Sequence, residues 1–120
     1  MDPSATPSAI PHTFQPATDA EMRQLIYAHT HVLVAYVTAD CENCQDKLPS
    51  LEQLAHERRF AHVLFLRLDA ADNVVPVREI AANNAPFVSV YQRGRLAYCG
   101  TVQTKKELAE LLLEHCPAAD

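Results

Sequence analysis

No stretch of the sequence approaches the roughly 20 consecutive apolar residues that cross a bilayer. Basic residues never cluster either: Arg58-Arg59 and Lys105-Lys106 are the only adjacent pairs of arginines and of lysines. With 10 Lys and Arg against 15 Asp and Glu, the formal charge is −5 and the pI is about 5.6. Such a chain lacks the broad positive field that phosphate backbones require, so neither nucleic acid nor membrane is expected as a partner. Met1 to Pro16 contains neither a basic n-region nor an apolar h-region, so it does not read as a secretory signal. The expected setting is therefore the reducing cytoplasm, where four cysteines read as thiols unless one pair has a catalytic or metal-binding use.

The 120 residues, 48% hydrophobic and 21% charged, suffice for one domain with a genuine core. Residues 1–17 read as a flexible proline-rich arm, because Pro3, Pro7, Pro11 and Pro16 oppose helix and central strand while Ile10 and Phe14 are too sparse for a core. The domain is expected over 18–116, with 117–120 a short tail. Thr18 and Glu21 have capping-box spacing and predict a helix to about His29 carrying Met22, Leu25 and Ile26. His31 to Thr38 is an unbroken apolar run suited to a strand covered on both faces. Leu48, Leu51, Leu54 and Ala55 share one helical face in a predicted helix over 45–58. Val63 to Leu68 reads as a second buried strand, with Asp69 ending it and Asp72 capping a short helix over 74–82, where Pro76 fits only in the first turn. After Asn83-Asn84-Ala85-Pro86, Phe87 to Gln92, the turn Arg93-Gly94 and Leu96 to Cys99 form an antiparallel hairpin ended by Gly100. Thr104 and Glu107 open a final helix with Leu108, Leu111, Leu112 and His115. This order predicts an α/β fold with a central mixed sheet of four strands and helices on both faces.

Cys41-Glu42-Asn43-Cys44 falls where a buried strand hands over to a helix. Cys41 at the helix mouth would feel the unpaired N–H groups and the helix dipole, which favour a thiolate. Cys44, one turn further in, would be more buried and placed to resolve a mixed disulfide at Cys41. Metal binding and a vestigial pair are the rival readings. A structural metal site needs two more soft ligands; Cys99 and Cys116 lie far along the chain, and there is no second C-x-x-C and no pair of appropriately spaced histidines.

From about residue 18 to residue 116 the chain resembles the thioredoxin family. The C-x-x-C follows the apolar strand 32–37, Pro49 stands where the family has a kink proline, Ala85-Pro86 precedes a strand where the family carries a cis-proline, and Gly94 and Gly100 match the glycines of the last hairpin and the turn after it. The resemblance implies a thioredoxin fold and thiol–disulfide exchange through a Cys41/Cys44 couple. It further implies that disulfide-containing protein substrates bind along Ala85, Pro86 and Asp40, and that electrons come from a reductase or another dithiol without a bound cofactor. The departures are specific. Asp40 replaces the family's tryptophan, and the protein has no tryptophan at all. Glu42-Asn43 replaces Gly-Pro and should modulate the couple, while Ala35 and Phe65 stand where the family keeps a buried aspartate and a buried lysine. Negative charge at Asp40 and Glu42 opposes the helix dipole, so a Cys41 pKa near that of a free thiol (~8.5) and a couple on the reducing side are expected. The missing helpers keep a second function open, a weakly active or redox-inactive binding module such as a co-chaperone or assembly factor.

Elsewhere, Cys99 reads as a half-buried apolar residue, Cys116 as an exposed tail thiol, and His115 as a cation at the helix C-terminus. His29 and His31 suit capping and loop solvation better than a metal, and no metal ligands are assigned. Tyr36 reads as core. A monomer or weak dimer is expected.

Overall fold

The structure, a computed structural model, describes residues 14–70 and 73–117; the predicted arm through residue 13, Asp72 and residues 118–120 lie outside them. Helix α1 (Asp19–Ala28) opens on the capping box: Glu21 N–H donates to Thr18 Oγ1 at 3.1 Å, and Thr18 N–H donates to Glu21 Oε1 at 2.9 Å. Strand β2 (His31–Val37) is buried through its first six residues. Helix α2 (Glu42–Glu52) starts three residues before the predicted helix because Cys41 itself is its N-cap. It then tightens into 3₁₀ turns over Gln53–His56 and Arg58–Phe60, so the predicted single helix to residue 58 is interrupted. Strand β3 (Leu64–Asp69) leads to α3 (Val74–Asn83), where Pro76 occupies the first turn and its missing N–H breaks no intrahelical bond.

Strands β4 (Phe87–Gln92) and β5 (Arg95–Thr101) form the hairpin. Arg93 and Gly94 both have positive φ, 54° and 81°, as a two-residue type I′ turn requires. β5 continues through Gly100, which pairs with Val88, so this glycine lies inside the strand rather than ending it. Helix α4 (Lys105–His115) begins with the second capping box, Glu107 N–H donating to Thr104 Oγ1 at 3.0 Å.

Among the described residues the sheet has five strands, not four, in the order β1-β3-β2-β4-β5. The addition is β1 (Gln15–Pro16), which pairs in parallel with Leu66 and Arg67 at the edge of β3. Phe14 beside it is only 3% exposed. Residues 14–17, expected in the arm, thus pack against the sheet. Pro16 is tolerated because an edge strand of two residues needs few ladder bonds.

Helices cover both faces. On one, α2 and α4 pack Leu48, Leu51, Leu108 and Leu112 against Leu33, Phe65 and Val88. On the other, α1 and α3 pack Met22, Ile26 and Ile80 against Val32, Val34 and Leu66, and this cluster also holds Cys41 and Cys44. Three expectations about single residues are overturned. Cys116 is buried, because it follows Leu108 and Leu112 at spacings of four on the core-facing stripe of α4. Cys99 is exposed, because β5 is the outermost strand of the sheet. His31 is buried rather than solvated, edge-on to His62 with ring centroids 5.3 Å apart.

Candidate functional site

Cys41 and Cys44 are joined by a disulfide, with Cα atoms 5.2 Å apart, inside the normal range for such bonds. The strand-to-helix junction places them. β2 ends at Val37, residues 38–40 turn the chain, and Cys41 enters α2 with extended backbone (φ −99°, ψ 92°). Cys44 N–H donates to Cys41 Sγ at 3.1 Å, so the sulfur serves as the helix cap and receives one of the orphan donors of the first turn. Cys44 is completely buried, whereas Cys41 is 5% exposed at the wall of a cavity. The deeper position expected for Cys44 is found.

That cavity, 240 Å³ in volume, is lined by Thr38, Asp40, Cys41 and, from α3 and its cap, Val77, Ile80 and Asn84. A neighbouring depression of 410 Å³ is lined by Asp40, Glu42, Asn43, Asp46 and Asn84. Asp40 and Asn84 border both. Asp40 and Glu42 are exposed, leaving their charge at the rim of the disulfide. Asn43 is half-buried, and its Nδ2 donates to the backbone carbonyl of Asn84 at 2.6 Å, tying the middle of the C-x-x-C to the end of α3.

Ala85 and Pro86 are both buried, and the Pro86 carbonyl accepts from Val102 N–H at 3.1 Å. There is no cis peptide bond among the described residues, so the Ala85–Pro86 bond is trans and the cis-proline implied by the resemblance is corrected. Trans is the lower-energy isomer by about 0.5–1 kcal/mol. The change of direction into β4 comes instead from Asn84, whose φ of 52° is left-handed. Asn84 is the residue that reading the sequence missed. Asparagine after a helical segment is a C-cap signal, but nothing local shows that it faces Cys41.

Ala35 and Phe65 are fully buried in the cluster under α2 and α4, and neither carries a titratable group. Phe65 stacks on Phe14, so an aromatic pair fills this part of the core. Tyr36, in the same cluster as the cysteines, packs at 5.9 Å from Phe87 and donates from its hydroxyl to Met22 Sδ at 3.7 Å. Burial, with Tyr91 and Asp19 adding to it, pushes its phenol up to about 12. It stays neutral at physiological pH and acts as core. His29 supplies only the backbone cap of α1, and among the described residues no group of three or more His, Cys, Asp or Glu side chains is arranged to hold a metal ion.

A disulfide capping the helix that follows the central strand of such a sheet defines the class: a thiol–disulfide oxidoreductase of thioredoxin fold. The sequence matches the thioredoxin family over residues 13–114, and the chain belongs to that family. Among solved structures it is similar to thioredoxin f from spinach chloroplast, with 21% identity and a TM-score of 0.73 over 90% of this chain and 97% of that one. It is similar also to a thioredoxin variant from Halobacterium salinarum, with 17% identity and a TM-score of 0.70 over 94% of this chain and 99% of that one. A third is the match from a complex of ferredoxin:thioredoxin reductase with thioredoxin f2, at 13% identity and a TM-score of 0.69 over 86% and 94% of the two chains. No curated protein sequence matches.

Proposed function

We propose that this protein reduces disulfides in protein substrates, cycling Cys41 and Cys44 between dithiol and disulfide. The observation that carries the reading is the asymmetry of the pair: one sulfur caps a helix at a cavity wall and the other is sealed behind it. In the reduced protein the Cys41 thiolate attacks one sulfur of the substrate disulfide. The substrate S–S bond breaks, its second sulfur leaves as a thiolate and takes up a proton, and Cys41 is held in a mixed disulfide. Cys44 then loses its proton and attacks Cys41 Sγ, forming the intramolecular disulfide and releasing the other substrate thiolate. Two electrons pass to the substrate, and a dithiol or a reductase restores them.

The substrate segment would lie along the turn Asn84-Ala85-Pro86, with Asp40 at the rim. Of this turn, Asn84 lines the cavity at Cys41 while Ala85 and Pro86 are buried behind it. Glu42 and Asn43 modulate the couple, the first by charge and the second by tying α2 to the cap of α3. With Ala35 and Phe65 apolar, the Cys44 proton goes to water, to substrate or to Glu42, which makes resolution slow. The exposed thiol of Cys99 supports a reducing compartment, such as the cytoplasm, as the working environment. The same two apolar residues support the competing view of a binding module. Dithiol-dependent insulin reduction separates the two: the wild-type protein turns over and Cys41→Ser does not. No turnover by the wild type would overturn the enzyme reading and leave the binding module.

A further inference from the structure

Asn84 Oδ1 lies 3.7 Å from Cys41 Sγ, the distance of an S–H···O hydrogen bond. In the disulfide that sulfur has no proton to give. Reduction by a dithiol adds two electrons and two protons, breaks the Cys41–Cys44 bond and leaves an S–H on each sulfur. We propose that Asn84 is a positioning residue that accepts the Cys41 S–H in the reduced protein and so holds this sulfur as a thiol in preference to a thiolate. The inference rests on the Cys41/Cys44 couple proposed above and adds to it a residue that sets how much of the nucleophile is available.

Three features hold the backbone from which this exposed side chain reaches Cys41. Asn84 is the C-cap of α3, its N–H donating to Ile80 O at 2.7 Å. Its backbone is left-handed, a conformation glycine would adopt at less cost, so the turn alone does not call for asparagine. Its carbonyl is held by Asn43 from across the site. Of the cavity wall that α3 and its cap contribute, Val77, Ile80 and Ala81 are apolar and Asn84 alone is polar. The other groups near Cys41 are Asp40 and Glu42 in its own segment, Asp46 on the next turn of α2, Cys44 beneath it, and Tyr36 from β2. An acceptor aimed at the sulfur favours the protonated form.

The test is the pKa of Cys41 in the reduced protein, read from the pH dependence of iodoacetamide alkylation with Cys41 resolved from the other cysteines by peptide mass. Asn84→Gly keeps the left-handed backbone and removes the amide. Asn84→Asp keeps the shape but leaves a charged acceptor. The expected order is Asn84→Gly below wild type below Asn84→Asp. The glycine variant should be lower by about half a unit (roughly threefold more thiolate below the pKa), and the aspartate variant higher by about one unit (roughly tenfold less). A glycine variant at or above the wild-type value would overturn the proposal, as would an aspartate variant at or below it. Equilibration of the wild type with dithiothreitol reports separately on the couple: absence of a reversible disulfide would sink the oxidoreductase reading, while the order of thiol pKa values would still decide the role of Asn84.

Discussion

The ring of Phe14 stacks on that of Phe65, with centroids 5.3 Å apart and planes inclined by 17°. One ring comes from the residue before the edge strand and the other from the second buried strand, and both are almost fully excluded from water. Replacing Phe14 by Ala removes the ring and leaves a cavity against Phe65. The expected loss is about 3 kcal/mol of folding stability, measured by urea denaturation. An unchanged midpoint would mean that residue 14 does not belong to the core.

His31 gives the stability a pH dependence of definite sign. Burial, followed by the neighbouring His62 and Arg93, lowers its pKa in the folded protein from the usual 6.5. Its Nδ1 has no hydrogen-bond partner among the described residues, and His62 Nε2 bonds the Cys116 carbonyl at 2.7 Å. Between the lowered folded value and 6.5 the unfolded chain binds more protons than the native one. This residue's contribution is therefore lost as pH falls through 6.5 and levels off below the folded pKa. His31→Gln should flatten that part of the stability–pH curve in denaturant titrations. An equal slope in both proteins would contradict the assignment.

Cys99 and Cys116 should differ sharply in reactivity. Cys99 is exposed, while burial pushes the Cys116 thiol up to about 12. In the oxidised native protein, iodoacetamide at neutral pH should modify Cys99 alone, and Cys116 should react only after denaturant is added. Mass spectrometry reads this directly, and rapid native labelling of Cys116 would refute its burial.

Gly94 is constrained twice. Its φ of 81° is poorly tolerated by residues with a Cβ, and a methyl placed there would collide with the ring of Tyr27 on α1. Gly94→Ala should cost more than about 1 kcal/mol in thermal or chemical unfolding. Adding Tyr27→Ala should recover the steric part and leave the backbone part. Full recovery would show that the turn itself tolerates alanine.

Much of this was legible in the sequence because it depends on local chemistry. The Thr18 and Thr104 caps, the buried run of β2 and the Arg93-Gly94 turn are each specified within a few residues. So is the placement of Cys41 at a helix mouth. Phe14 was not legible: the prolines around it argue for an arm, and only β3, distant in sequence, provides its partner. Cys116 could have been found by continuing the four-residue spacing from Leu108 and Leu112. The isomer of the Ala85–Pro86 bond and the approach of Asn84 to Cys41 are products of tertiary packing, which the spacing of residues does not encode.

The edge strand β1 joins residues separated by about fifty positions, Gln15 with Leu66, and over only two residues. Closing so long a loop for so few bonds carries an entropic cost that is recovered only once β2 and β3 have already assembled. The N-terminal edge should therefore dock after the rate-limiting step of folding. Loss of the Phe14 ring should accelerate unfolding and leave the refolding rate nearly unchanged, so this edge acts as a kinetic lock on a core assembled without it.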